Sequence, residues 1–186
     1  MRAIPVVLVT FIAFSLFTLQ LNRSEAHSAR ARIPIAGHGA IEFPLPEGWT
    51  YGIRQPGAMP PTIQFEPEKG RKFKTLVSVL WSPKGDPSFN SLDNILAAIE
   101  SARARAAMSA VEDEIPIQVI KGEHIVGRYF VATDRAPKPG EYRYMTHGIA
   151  ALDDLMLTFT ILSNDRKGGI SSAGLRMLEG TTKGVE

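Results

Sequence analysis

The chain has 186 residues, of which 44% are hydrophobic and 22% charged, the balance of a globular protein rather than a disordered or fibrous one. It contains no cysteine, which excludes disulfides, thiolate metal sites, a cysteine nucleophile and a lipid-modified cysteine anchor. The net charge is +2, and removing residues 1–26 would take Arg2, Arg23 and Glu25 and leave 19 basic against 18 acidic residues, so charge offers no case for nucleic-acid binding.

Residues 3–21 form a mostly apolar run behind Arg2, and the chain turns polar at Asn22. Ser24 and Ala26 stand at the −3 and −1 positions of a small-residue cleavage site, the layout of a secretory signal peptide. The run is also long enough to span a bilayer, so residues 1–26 are read as a signal peptide or, alternatively, as an uncleaved membrane anchor. Arg2 favours an inside amino terminus, whereas Arg23, Arg30 and Arg32 pull the other way. The expectation is a domain outside the cytoplasm, periplasmic or secreted, or tethered by residues 3–21.

Residues 27–37 show no clear period and are read as a linker. Residues 38–180 are then expected to form a single domain, with 181–186 as a polar tail. Strands are expected over 40–45, 49–53, 62–66 and 75–81, separated by loops rich in proline and glycine. Lys69, Arg71, Lys72 and Lys74 crowd one of these turns, and the simplest reading is a solvated hairpin tip. Asn90 or Ser91 can cap a helix running to about Ala110, with Leu92, Ile95, Leu96, Ile99, Ala102 and Ala106 as its apolar stripe. Arg103 and Arg105 point off that stripe, towards solvent. The acidic run Glu112-Asp113-Glu114 falls past the helix's negative end and belongs to the loop leading out. Strands follow over 115–120 and 123–134.

The strongest local signal lies at 142–152 and 155–163, two stretches rich in aromatic, β-branched and threonine residues around Asp153-Asp154. A two-residue turn there pairs Leu152 with Leu155, Ala150 with Leu157, Gly148 with Phe159 and Thr146 with Ile161 on one apolar face. The other face pairs Ala151 with Met156, Ile149 with Thr158 and His147 with Thr160. It is mixed in character, which suits a sheet partly covered on both sides. A one-residue slip would exchange the faces. A helix over 171–179 closes the chain, with Ala173, Met177 and Leu178 inward and Gly180 as its stop. The order of elements gives an α+β fold, an antiparallel β-sheet with helices packed on it.

Phe43-Pro44-Leu45-Pro46-Glu47-Gly48-Trp49, Gly127-Arg128-Tyr129-Phe130-Val131-Ala132-Thr133-Asp134 and Leu157-Thr158-Phe159-Thr160-Ile161-Leu162-Ser163 resemble stretches of the PsbP-like superfamily, in particular its small exported bacterial members. The order of elements is similar over about residues 38–180. The resemblance implies a PsbP-like α/β/α sandwich around an antiparallel sheet. Plant and cyanobacterial members assist photosystem II, and a eukaryotic relative of the fold binds the Ran GTPase. No functional residue of either group matches this sequence position by position, so the resemblance implies non-catalytic protein binding by analogy of fold alone.

No phosphate loop, nucleophile elbow, paired-histidine metal motif or calcium loop is present. His38, between Gly37 and Gly39, is read as an exposed loop histidine. If the loop over 135–140 centres at Lys138, Tyr129 faces His147 with Thr160 on its other side. That Tyr129, His147, Thr160 row is the one candidate ligand-binding site, for a small polar ligand or for polarising a substrate. Cross-strand packing is the plainer account of the same row. His124 falls on the opposite face and forms no metal pair with His147. Asp153 and Asp154 are read as turn residues, and Asp134 with Arg135 as a strand-end ion pair.

The sequence therefore reads as a non-catalytic binding or accessory protein of the cell envelope, with no cofactor, no nucleic acid and a protein partner whose identity is open. Two alternatives stand beside it: a small exported hydrolase-like enzyme using the His147 face, and a membrane-tethered structural or assembly domain.

Overall fold

The computed structural model describes residues 29–54, 60–69, 73–82, 84–165 and 169–184, and the export segment expected over 1–26 lies outside them. In chain order the elements are β1 (Arg30–Pro34), β2 (Ala40–Pro44), β3 (Trp49–Arg54), β4 (Thr62–Pro67), β5 (Phe73–Trp81), α1 (Leu92–Ala107), β6 (Gln118–Lys121), β7 (Ile125–Thr133), β8 (Tyr144–Leu152), β9 (Leu155–Ser163), α2 (Gly169–Glu179) and β10 (Thr182–Gly184). Every paired strand is antiparallel. The larger sheet runs β3-β4-β5-β9-β8-β7-β6 and the smaller β1-β2-β10. The α+β expectation holds.

The β8–β9 hairpin lies inside the larger sheet, and all seven cross-strand pairs expected from its two-residue turn are present. Asp153 takes the left-handed conformation that such a turn requires, with φ 51°. The strict alternation of buried and half-buried residues along β9 follows from that register. One face of the larger sheet, built on Ile63, Phe65, Val77, Val79, Leu157 and Phe159, packs against Ile33, Ile41 and Phe43 of the smaller sheet and against Met177 and Leu178 of α2. Helix α2 comes close because Gly174 presents no side chain: a Cβ there would sit 3.1 Å from Ile161 Cδ1.

The other face carries α1, seated chiefly on β7 and β8. Ser91 is its N-cap, the hydroxyl accepting from Asn94 N–H at 3.3 Å. Ile95 and Ile99 are the helix residues fully buried, meeting Phe130, Ala132 and Ile149. Leu92 and Leu96, expected in the apolar stripe, are exposed. The same face over β4, β5 and β9 is half-buried, as the mixed character of the hairpin's second face anticipates.

Several boundaries differ from the sequence reading. The stretch 27–37 read as linker contains β1. Ala31, Ile33 and Ile35 are buried while Arg30 and Arg32 face out, an alternation of period two that the proline at Pro34 masks. The stretch 181–186 read as a polar tail contains β10, paired with β2 from Thr182 to Gly184. The expected strand over 115–120 begins only at Gln118, since Pro116 offers no N–H to a ladder. Asp134 and Arg135 form no pair with each other: Asp134 Oδ1 accepts from Ala136 N–H, and Arg135 donates to Ala110 O at 2.8 Å. Arg103 is not solvent-facing but half-buried, donating to Ile115 O at 3.3 Å.

Candidate functional site

The expected row of Tyr129, His147 and Thr160 is only half assembled. His147 Nδ1 lies 3.0 Å from Thr160 Oγ1, as the hairpin register requires. Tyr129, however, pairs with Gly148, and it is Phe130 that stands opposite His147. The loop between β7 and β8 centres between Lys138 and Pro139 instead of on Lys138, because Thr133 pairs with Tyr144. That shift exchanges the two faces of β7 relative to β8. Tyr129 therefore sits on the α2 side of the sheet, where its hydroxyl donates to Gln118 Oε1 at 2.8 Å. Burial, then the Glu179 charge, raises its pKa, so the phenol stays protonated.

His147 occupies the α1 side, its ring centroid 5.7 Å from that of Phe130. Burial and, secondarily, the positive charge of Arg105 hold its pKa below the usual 6.5. A histidine that resists protonation in the fold binds fewer protons than in the unfolded chain. Its contribution to stability is thus complete above 6.5 and is lost as pH falls from there towards the lowered native value. We expect unfolding midpoints in denaturant to fall over that window. His147→Gln should flatten the slope there, and an unchanged slope would refute the assignment.

A second group of side chains, which sequence reasoning did not join, meets at the tip of the β8–β9 hairpin. Asp154 Oδ2 lies 2.6 Å from His38 Nδ1, and Lys183 Nζ donates to Asp154 Oδ1. The His38 ring stands against Trp81 with centroids 5.1 Å apart. Asn90 Nδ2 donates to Asp153 O at 2.6 Å and to Leu155 O at 2.9 Å, fastening the approach to α1 onto the same tip. Two clefts, of 490 and 410 Å³, open on either side and share His38 and Asp154. Desolvation pulls the Asp154 pKa up. The hydrogen bonds from Lys183, His38 and its own backbone N–H, with the Lys183 charge, outweigh it and hold the carboxyl below its ordinary 3.8.

The arrangement can hold or pass a proton, but it lacks a nucleophile poised on the imidazole. Ser82 lines the smaller of the two clefts, with its hydroxyl accepting from Asp86 N–H at 2.9 Å. The clearer role of Asp154 is to join the sheets, since His38 follows β1 and Lys183 lies on β10, both of the smaller sheet. The pair is half-exposed, so Asp154→Asn should cost about 0.5–1 kcal/mol while speeding amide exchange in β10. Exchange unchanged in β10 would dismiss the joint.

His124 lies in the β6–β7 turn, exposed and beside Glu123, apart from both groups. Among the described residues no cluster of three or more histidine and carboxylate side chains is set to hold a metal, and no helix is long and apolar enough to cross a membrane. The basic turn around Lys69 lies partly outside the described residues, at Arg71 and Lys72.

No family model and no curated protein matches the chain. Among solved structures, the solution structure of cyanobacterial PsbP (CyanoP) from Synechocystis sp. PCC 6803 superposes with a TM-score of 0.52, over 87% of this chain and 96% of that one. The chain has a PsbP-like fold. At 12% identity the likeness is one of architecture. The PsbP-like sandwich implied by the three sequence stretches is present, with the smaller sheet sharing the α2 side.

Proposed function

We propose that this protein is a non-catalytic accessory factor that acts outside the cytoplasm by binding another protein. The observation that supports this most is the PsbP-like fold, matched over nearly the whole of the cyanobacterial PsbP structure. Fold alone does not carry function, and the side chains lend the reading further support. The histidines nearest to a chemical role are engaged structurally, His147 with Thr160 beneath α1 and His38 with Asp154 between the sheets. The apolar run over 3–21 supports export, either released after cleavage or retained as a tether.

The test is capture of native partners from the cell envelope by the full-length protein, with the mass of its amino terminus read in the same sample. A reproducible protein partner and a start near His27 would support a released accessory module. An intact amino terminus on membranes would favour the tethered form. Turnover of a small ester or peptide that is lost in His38→Ala or His147→Ala would overturn the non-catalytic reading.

A further inference from the structure

Between the carboxyl end of α1 and the loop joining β7 to β8 lies a cleft of 470 Å³. Its apolar lining comes from Ala106 and Ala110, from Ala132 on β7, from Met145 on β8 and from Leu162 on β9. The three alanines leave the space, since larger side chains there would fill it. The walls are fixed on both sides. Arg135 N–H donates to Ser109 O at 2.9 Å, and Asp134 N–H to Arg143 O at 2.8 Å. Asn164 Oδ1 accepts from Arg143 N–H at 2.8 Å. The volume lies in the range of preformed small-molecule sites, roughly 300–1,000 Å³.

Three charged residues line the same cleft: Asp134, Glu141 and Arg143. Asp134 Oδ1 accepts from Ala136 N–H and Glu141 Oε2 from Lys138 N–H, both at 2.9 Å. Their second oxygens have no partner among the described residues. The Arg143 guanidinium has none there either, since Arg143 bonds through its backbone N–H and C=O. A purely anionic ligand would meet two carboxylates and the negative end of α1. A purely cationic one would meet Arg143. A ligand carrying both charges on an apolar body matches the charged and the apolar residues that line the cleft.

We propose that this cleft binds a small apolar zwitterion, an apolar α-amino acid or dipeptide, with its carboxylate on Arg143, its ammonium between Asp134 and Glu141, and its side chains on the alanine-lined floor. A guanidinium suits a carboxylate because it offers two parallel donors. The site is separate from the His38 and His147 groups, so this proposal stands or falls independently of the accessory role.

The experiment is a backbone-amide NMR titration of the full chain with leucine, leucyl-leucine and N-acetyl-leucyl-leucine amide. Leucyl-leucine or leucine should shift the amides of residues 106–110 and 140–145 in a saturable way, and the doubly blocked analogue should bind at least tenfold more weakly. Which of the two unblocked ligands binds more tightly tells a dipeptide site from an amino-acid site. Arg143→Met should weaken the unblocked ligand at least tenfold and leave the blocked one unchanged. Ser109→Trp, a change at an exposed lining position, should abolish binding without lowering the melting temperature. Equal binding of blocked and unblocked ligands, indifference to Arg143→Met, or no saturable shift at 10 mM of roughly drug-fragment affinity would overturn the proposal.

Discussion

Gly148→Ala is expected to destabilise the protein by about 2–3 kcal/mol, the upper part of the range for overpacking a core. Gly148 stands directly opposite Phe159 in the β8–β9 hairpin, and the ring of Phe159 lies across it. A Cβ on Gly148 would fall 2.1 Å from Phe159 Cζ and 2.6 Å from Cε1. Phe159 is 1% exposed, so its ring has no open side to move into. The backbone at Gly148 is not in the left-handed region, so the conflict is one of space and not of strain. For a protein of this size the loss corresponds to a fall in melting temperature of about 4–12 °C. Phe159→Leu shortens the side chain that the new methyl meets. The double variant should therefore be no less stable than Phe159→Leu alone, within about 0.5 kcal/mol, a coupling that a thermodynamic cycle isolates. Additive losses would mean that the ring does not cover the glycine.

The same hairpin shows what the sequence made legible. Its faces alternate cleanly and its turn is two residues long, so turn length and side-chain period together set every pair from Leu152–Leu155 out to Thr146–Ile161. The β7–β8 connection gave no such lock. Its loop holds Pro137 and Pro139 over a longer span, and a centre displaced by half a residue moved Tyr129 to the far side of the sheet from His147. Half of the candidate row thus followed from local rules and the other half did not. The His38–Asp154 contact spans 116 positions in sequence and depends on how two separate sheets pack, which no local pattern encodes. Each partner was visible singly, a histidine between glycines and an acid in a tight turn. The strand at 30–34 was legible in the alternation of Arg30, Ala31, Arg32 and Ile33, but five residues ending in a proline are a weak period beside a hairpin of nine-residue strands.

Ile99→Ala should cost about 2–4 kcal/mol and, unlike a change elsewhere in the core, should also release His147. Helix α1 rests mainly on β7 and β8, and its fully buried anchors are Ile95 and Ile99. Removing three carbons from a completely buried isoleucine forfeits both their transfer free energy and the contacts around the cavity left behind. The neighbouring Ala98, Ala102 and Ala106 are too small to close that gap. With the helix loosened, water gains access to the face it covers, and burial is the larger of the two influences that depress the His147 pKa. The imidazole should therefore titrate closer to 6.5 in Ile99→Ala than in the parent, a shift readable from its ring proton resonances in NMR. Val79→Ala, an equally buried change on the opposite face, should lower stability without moving that titration. If His147 titrates alike in all three proteins, the sheet alone desolvates it, and α1 would have no hold over the one histidine face that the sequence singled out.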